Sequence, residues 1–278
     1  MIAVKKKRVN WPVLAVLIPS MCFVVAPIYW AVCTALKPEK EISKLPIKFI
    51  PDPFTFENFV SAWMDMGFSR YFFNSVMISS FATLFVVVMA VMAGYALCRY
   101  DFKGKEIFML ALLATQFIPV AVLLIPLFNI FNGMKLIGTR TSIVLACITF
   151  QLPFNSILMR GFVGGIPYEL EEAAHVDGCS GIRTMWHIVL PMLKPGIITT
   201  GAFAFIGCWN EFLFSLMFLN DPKKFTVPIG LKFMQGQFDI NYGALAAGAL
   251  IAMSIPAMLF AYLQKHLVQG IAAGAVKG

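Results

Sequence analysis

Residues 71–97 read YFFNSVMISSFATLFVVVMAVMAGYAL and contain no Asp, Glu, Lys or Arg. A helix needs about 20 consecutive apolar residues to cross the hydrocarbon core of a bilayer, which is about 30 Å thick. This stretch exceeds that length, and no charge interrupts it. It therefore predicts a helix that spans a membrane.

Five further apolar runs accompany this stretch, at residues 11–36, 107–128, 141–162, 197–219 and 243–263. The chain of 278 residues is 59% hydrophobic and 13% charged, with a mean hydropathy of +0.80. Soluble domains are about 45–50% apolar and about 25% charged, so these values exclude a soluble globule and a disordered chain. The alternating segments of a membrane β-barrel do not occur. We predict an all-α integral membrane protein with six transmembrane helices, in which residues 1–278 form a single transmembrane domain.

The basic residues before the first run indicate how the chain is oriented. Lys5, Lys6, Lys7 and Arg8 directly precede it, and positive charges beside a span stay on the cytoplasmic side. The N-terminus is therefore predicted in the cytoplasm, and six crossings return the C-terminus there. The net charge of +8 does not indicate nucleic acid, because no basic face interleaved with aromatic residues accompanies it.

The polar connection between the fourth and fifth runs contains the sequence IPYELEEAAHVDGCSGIRTMWHIVLP at residues 166–191. Pro167 suits the first position of a helix, where its missing N–H is not needed. Acids follow in the first turns, where the helix dipole favours negative charge. Gly178 can adopt the left-handed conformation that ends a helix. The pattern predicts a cytoplasmic helix over residues 167–177.

Small and apolar side chains fall on one face of this predicted helix, at Leu170, Ala173, Ala174 and Asp177. A short stripe of this kind, edged by acids, suits docking into a groove on another protein. The alternative is a helix that lies on the membrane surface. Such helices usually carry Lys and Arg on their polar face, whereas this one carries acids.

The spacing within the loop resembles the EAA loop of ABC importer permeases. Glu172-Ala173-Ala174 is followed after three residues by Gly178, and after nine more by Ile188-Val189-Leu190-Pro191. Outside the loop, several segments resemble the carbohydrate branch of that family and, within it, the maltose-type second permease subunit. These segments include Asn74-Ser75, Gly94-Tyr95-Ala96, Trp209-Asn210-Glu211-Phe212 and the terminal AGAVKG at residues 273–278.

The resemblance implies a type I ABC importer permease fold with a core permease region at 71–263, a cytoplasmic EAA loop at 163–195 and a cytoplasmic tail at 264–278. It implies that the loop helix is a coupling helix seated on an ATPase. The residues assigned to this contact are Glu169, Leu170, Glu172, Ala173, Ala174, Asp177, Gly178, Ile188, Leu190 and Pro191. The tail is expected either to contact the ATPase through Val276, Lys277 and Gly278 or to be a frayed terminus.

The same resemblance implies the partners of the chain. They are a second homologous permease subunit, two ABC ATPase subunits that bind ATP and Mg, an extracellular solute-binding protein and a carbohydrate substrate. The chain would lie in the lipid of the bacterial cytoplasmic membrane with both termini cytoplasmic. It contains no G-x-x-x-x-G-K-[ST] sequence to hold nucleotide phosphates. No nucleophile or metal-ligand constellation indicates an enzyme or a metal site, so we expect no cofactor on this chain.

Asn210 and Glu211 lie within the fifth apolar run, and acids inside a membrane are usually functional. We assign both residues to the translocation pathway. Three roles are open for Glu211: a hydrogen-bonding group that positions helices, which we favour, a group that contacts sugar, or a proton carrier. A proton carrier would indicate an ion-coupled secondary transporter, which is the main alternative to the ABC importer. An integral membrane enzyme is a second alternative without a supporting motif.

Overall fold

The computed structural model describes residues 11–236 and 240–275, apart from the side chains of Pro12 and of residues 265–275. Within these ranges every regular element is a helix, as the composition predicts. The α-helices are α1 (Trp11–Ala35), α2 (Glu39–Ile42), α3 (Glu57–Val60), α4 (Phe68–Arg99), α5 (Lys105–Ala114), α6 (Val120–Gly133), α7 (Arg140–Gly164), α8 (Glu169–Val176), α9 (Gly181–Thr184), α10 (Leu190–Met192), α11 (Lys194–Trp209), α12 (Leu213–Phe218), α13 (Val227–Met234) and α14 (Tyr242–Ala275). Short π-helical turns follow α3 and α9, and 3-10 turns follow α5 and precede α13.

Four helical segments in the described part of the chain are long and apolar enough to cross a membrane unaided. They are Val13–Ala35, Phe68–Arg99, Arg140–Gly164 and Tyr242–Gln264. They coincide with the predicted first, second, fourth and sixth spans. Two further candidates are bent pairs of helices, so the described residues contain four spans, or up to six if each bent pair crosses as one.

The third predicted span, over residues 107–128, is a broken helix. The segments on either side of the break, Lys105–Phe117 and Val120–Gly133, are bent by 101°. Pro119 causes the break, because its ring disfavours the helical conformation in Ile118, which is extended with a ψ of 120°. Pro119 also lacks the N–H that a continuing helix would use.

The predicted fifth span, over residues 197–219, is also interrupted. α11 ends at Trp209 and α12 begins at Leu213, so Asn210 and Glu211 lie in a break between helices. At its other end, α11 is bent by 74° from the segment Gly181–Met192. Pro195 stands in the first turn of α11, a position where the missing N–H removes no helical hydrogen bond.

The last helix is longer than the sequence predicts. α14 continues beyond residue 263 through the stretch 264–275, which the sequence assigns to a tail. No proline follows Pro256, and alanine, the strongest helix former, recurs near the end. The first part of the tail is therefore a continuation of the helix.

The described residues fall into two compact units. The first comprises Met1–Phe68 and Phe233–Ile251, and the second comprises Ser69–Lys232 and Ala252–Gly278. In the first unit, the carboxylate of Glu39 accepts hydrogen bonds from the backbone N–H groups of Tyr242 (3.0 Å) and Gly243 (2.9 Å). These N–H groups belong to the first turn of α14, where a helix has no internal acceptor for them. Glu39 therefore caps α14.

In the second unit, a buried apolar cluster beside the EAA loop positions that loop. It joins residues of α4 and α7 to the chain on either side of α8. Its buried members are Ala90, Val91, Met159, Val163, Ile166, Val189 and Leu193. α4 and α7 approach closely here, because a Cβ at Gly94 would lie 2.8 Å from the backbone nitrogen of Arg160. Gly94 allows this contact because it has no side chain.

Candidate coupling site

The loop helix forms where the sequence predicts it, although it is shorter. α8 spans Glu169–Val176 rather than 167–177, and Pro167 enters only through its carbonyl oxygen, which accepts from Leu170 N–H at 3.4 Å. The helix ends as predicted at Gly178, whose φ of +81° is left-handed. The N–H of Cys179 then donates to the carbonyl of Ala174 at 2.9 Å, which satisfies a carbonyl at the end of the helix.

The predicted docking stripe is not a single exposed face. Ala174 is buried at 5% exposure, whereas Leu170, Ala173 and Asp177 are exposed. The reason is the position of Glu171, which is three residues before Ala174 and therefore on the same side of the helix. Glu171 is itself 1% exposed. These two residues turn towards the chain, so Ala174 is not on the exposed face of α8 in this structure, and its contact with an ATPase stays a prediction.

Glu171 lies in a buried cluster with two residues of α4. Its Oε1 accepts from Arg99 Nε at 2.6 Å, and its Oε2 accepts from the hydroxyl of Tyr95 at 2.7 Å. The Arg99 side chain is only 11% exposed. Its Nη2 donates to the carbonyl of Ile166 at 2.8 Å, and its guanidinium lies 5.5 Å from the ring centroid of Tyr168. Charge-assisted bonds of this length are among the strongest hydrogen bonds in proteins.

The opposite side of α8 and the chain that follows it expose apolar side chains. Val176 is 87% exposed, Ile182 is 76% exposed and Trp186 is 66% exposed. α8 packs against α9 and the π-helical turn after it. We call the following exposed residues of this segment the docking surface: Glu169, Leu170, Glu172, Ala173, Val176, Asp177, Ile182 and Trp186.

The final part of the EAA motif divides between the core and the surface. Val189, which the sequence analysis does not assign, is fully buried in the cluster beside α4. Ile188 and Leu190 are half-buried, and Pro191 is exposed. The structure thus uses this end of the motif to anchor the loop, and a contact of Ile188, Leu190 or Pro191 with an ATPase stays a prediction.

Sequence reasoning missed the buried contacts of Tyr95, Arg99 and Glu171 and the exposure of Val176 and Trp186. A usable signal exists for the ion pair, since Arg99 ends an apolar span and Glu171 precedes the EAA motif. Val176 and Trp186 are large apolar residues in a polar loop, which also could have identified the docking surface. The predicted tail contacts Val276, Lys277 and Gly278 lie outside the described residues.

Glu211 acts on the helix that follows it. Its Oε1 accepts from Phe214 N–H at 2.6 Å, and its Oε2 accepts from Ser215 N–H at 3.0 Å and Ser215 Oγ at 2.6 Å. These N–H groups belong to the first turn of α12 and need an external acceptor. Among the three open roles, the geometry favours the hydrogen-bonding role in helix positioning.

Asn210 faces a different environment from that of Glu211. It is exposed and lines a cavity of about 410 Å³ together with Trp209 and Val227. The other lining residues are apolar: Pro228, Leu231, Ala252, Met253 and Pro256. Interrupted backbone at membrane depth is tolerated where it lines a cavity, and the break at Asn210 fits that condition.

Comparison with known proteins gives the same assignment as the motif. The chain matches the family described as binding-protein-dependent transport system inner membrane component over residues 86–273. It is 37% identical to the diacetylchitobiose uptake system permease protein of Streptomyces coelicolor, over 91% of this chain and 92% of that protein. It is 32% identical to the trehalose transport system permease protein of Mycobacterium tuberculosis, over 98% of this chain and 99% of that protein.

The fold is also similar to that of a chain in the crystal structure of a bacterial ABC transporter involved in the import of the acidic polysaccharide alginate. The TM-score is 0.81 at 20% identity, and the match covers 95% of this chain and 99% of that chain. The predicted resemblance to ABC importer permeases of the carbohydrate branch is confirmed. The chain belongs to the family of binding-protein-dependent transport system inner membrane components, the non-catalytic permease subunits of ABC importers.

Proposed function

We propose that this chain forms half of the translocation pathway of an ATP-driven importer for a sugar or oligosaccharide, and that it couples to an ATPase through α8. The docking surface carries this proposal. Val176, Ile182 and Trp186 expose their side chains on a segment that Glu171 and Val189 hold to the core. An apolar surface on a fixed helix is a common means of docking into a groove on a partner.

The proposed assembly contains a second homologous permease, two ABC ATPase subunits and an extracellular solute-binding protein. ATP and Mg would be bound by the ATPases. The most apolar part of α1 has no buried residue, which leaves its surface for lipid or for the second permease. The tail residues Val276, Lys277 and Gly278 are proposed to contact the ATPase as well.

The proposed location is the bacterial cytoplasmic membrane. Both termini, the EAA loop and the tail would lie on the cytoplasmic side. The basic cluster Lys5, Lys6, Lys7 and Arg8 before α1 supports this orientation. The loop between α7 and α11 must then be cytoplasmic too, where an ATPase can reach it.

The proposed substrate class follows from the relatives, whose names state that they transport diacetylchitobiose and trehalose. In this chain, Asn210 and the cavity beside it are the proposed part of the pathway. An amide can donate to and accept from sugar hydroxyls. Glu211 supports the pathway indirectly, because it holds α12 at the edge of the break.

The first test asks whether ATP is hydrolysed by this subunit or by its proposed ATPase partners. The purified chain alone should not hydrolyse ATP, because it has no phosphate-binding loop. The complete complex in vesicles should hydrolyse ATP faster when the solute-binding protein carries its sugar. Nucleotide turnover in the isolated chain, with the ATPase subunits shown to be absent, would contradict the proposal.

A second test uses the left-handed turn at the end of α8. Gly178→Val should lower uptake, because a β-branched residue at a φ of +81° costs about 1–3 kcal/mol and favours another path for the chain. A Cβ at Gly178 meets open space, so the effect would come from the backbone.

Gly181→Val is the matched control for this turn. A Cβ added at Gly181 would also meet open space, but Gly181 has no positive φ, and we expect uptake close to that of the unaltered complex. Equal uptake by both variants, measured in vesicles with equal amounts of complex, would show that the left-handed turn is not needed.

A further inference from the structure

We infer that α4 acts as a rigid rod that transmits movement of α8. It joins α8 at one end to the wall of the Asn210 cavity at the other. The inference rests on the proposed function, in which α8 docks on an ATPase. It assigns Arg99 and Glu171 as positioning residues at the cytoplasmic end of α4, and Asn74 and Ser75 as positioning residues at the other end.

At the cytoplasmic end, α8 is fastened to α4 at two points. Both oxygens of the Glu171 carboxylate are engaged, one by Arg99 at 2.6 Å and one by Tyr95 at 2.7 Å. Tyr95 and Arg99 are four residues apart and therefore adjacent on one face of α4. Because both bonds end on the one carboxylate of Glu171, they fix the position and orientation of that side chain on α4. A third bond, from Arg99 to the carbonyl of Ile166, fixes the connection that enters α8.

This arrangement is more than stability requires. A buried ion pair is often no more stabilising than apolar residues of the same volume, because both charges lose their hydration. Apolar contacts already join α4 to the EAA loop through Ala90, Val91 and Val189. The ion pair adds direction, since a guanidinium fork and a carboxylate hold a defined geometry. Fixing the orientation of α8 is therefore the property that the pair supplies.

At the other end, α4 is fastened to the segment that enters the cavity wall. The buried Asn74 amide donates to the carbonyls of Lys223 (3.0 Å) and Phe225 (2.9 Å). The hydroxyl of Ser75 accepts from Val227 N–H at 2.8 Å. Val227 lines the cavity of about 410 Å³ together with Asn210. The Asn74-Ser75 segment thus holds the backbone beside the proposed pathway.

Between these two ends α4 is a single helix without an internal proline. Asn74 and Arg99 are separated by about 38 Å at 1.5 Å per residue. Both anchors and the cavity wall lie in the second unit. A displacement of α8 by the ATPase would therefore be carried by α4 to Lys223–Val227, where it would alter the cavity.

The test is a double-mutant cycle on the complete complex in vesicles, with solute imported per ATP hydrolysed as the readout. Glu171→Gln removes the ion pair, and Asn74→Leu removes the two bonds to the cavity segment. We expect each variant to lower the ratio about tenfold, the factor that corresponds to losing a hydrogen bond to a charged or fully buried group. The ratio of the double variant should also be about tenfold lower than that of the unaltered complex. Either substitution alone interrupts the same connection along α4, so the second one has nothing further to remove.

Glu106→Gln is the control, because it makes the same change of charge at an exposed position of α5. Its ratio should match that of the unaltered complex. Independent sites this far apart normally have additive effects, so a hundredfold loss in the double variant would overturn the rod. An unchanged ratio in Glu171→Gln would also overturn the rod. The same holds if uptake and ATP hydrolysis both fall only as far as the amount of complex falls, because the ratio would then be unchanged.

Tyr95→Phe is a milder substitution, which tests the same attachment if Glu171→Gln prevents assembly of the complex. It removes one hydroxyl and keeps the ion pair, and it should also lower the ratio about tenfold, because the lost hydrogen bond is one to a charged carboxylate. A normal ratio in this variant would overturn the two-point attachment. Absence of ATP-driven uptake in the unaltered complex would instead refute the proposed function, which separates the two failures.

Discussion

Ala173→Trp is expected to reduce ATP-driven uptake roughly 10–100-fold, because overpacking a close contact costs about 1–3 kcal/mol. Ala173 is exposed on the docking surface, so the indole does not disturb the packing of this chain. The indole would instead hold α8 away from the proposed groove on the ATPase, which would accept a methyl group at this position. The chain should remain in the membrane in normal amount, while the ATPase should no longer copurify with it.

Ala173→Ser is the control at the same position. Its side chain is nearly as small as that of alanine, and we expect uptake within about twofold of the unaltered complex, as is usual for surface substitutions. Ala174→Trp does not serve this purpose, since Ala174 is buried in this chain and the indole would disturb the chain's own packing. Normal uptake by Ala173→Trp would show that α8 does not dock through the proposed surface.

The sequence predicts the helical class and the spans well because their signal is local. In lipid, the backbone of a run such as 71–97 is satisfied only in a helix or a closed barrel, and the run lacks the alternation of barrel strands. α4 differs from the prediction by only a few residues at each end. The left-handed turn at Gly178 is local in the same sense. Its residue type and its place after a helical pattern are enough to predict it.

The faces of α8 could not be predicted because they depend on a distant residue. Helical spacing gives one apolar stripe, and nothing in the loop states that Glu171 pairs with Arg99, which is 72 residues earlier in the chain. That pair rotates Ala174 inward and leaves Val176 outward. The helix dipole already explains an acid in the first turn of a helix. The sequence therefore gives no reason to expect that Glu171 also forms a tertiary ion pair.

The breaks in the third and fifth runs were missed for different reasons. Pro119 predicts a kink in the third run, but hydropathy carries no information on angle, so the bend of 101° could not be predicted. The break at Asn210 has no proline. It depends on a carboxylate that caps the following helix, and such a cap becomes visible only when Glu211 is seen to bind the first turn of α12.

Glu211→Ala should lower the free energy of unfolding by about 2–4 kcal/mol, because it removes a carboxylate that accepts three hydrogen bonds. Glu211→Gln should lose only about 1 kcal/mol, since its oxygen still accepts one backbone N–H and its amide can donate to the Ser215 hydroxyl. Ser215→Ala, which keeps both backbone N–H bonds, is the matched control and should lose about 1 kcal/mol. Unfolding of the purified chain in SDS would measure all three.

Uptake by the same variants distinguishes a cap from a proton carrier. A cap needs an acceptor oxygen, so Glu211→Gln in the complete complex should retain most of the uptake and Glu211→Ala should retain little. A proton carrier needs a group that titrates, and an amide cannot do so. At fixed ATP in vesicles, uptake should be insensitive to a protonophore in both the unaltered complex and Glu211→Gln. Protonophore-sensitive uptake that Glu211→Gln abolishes would contradict the cap and support ion coupling, because both substitutions would then act through the lost charge and not through α12.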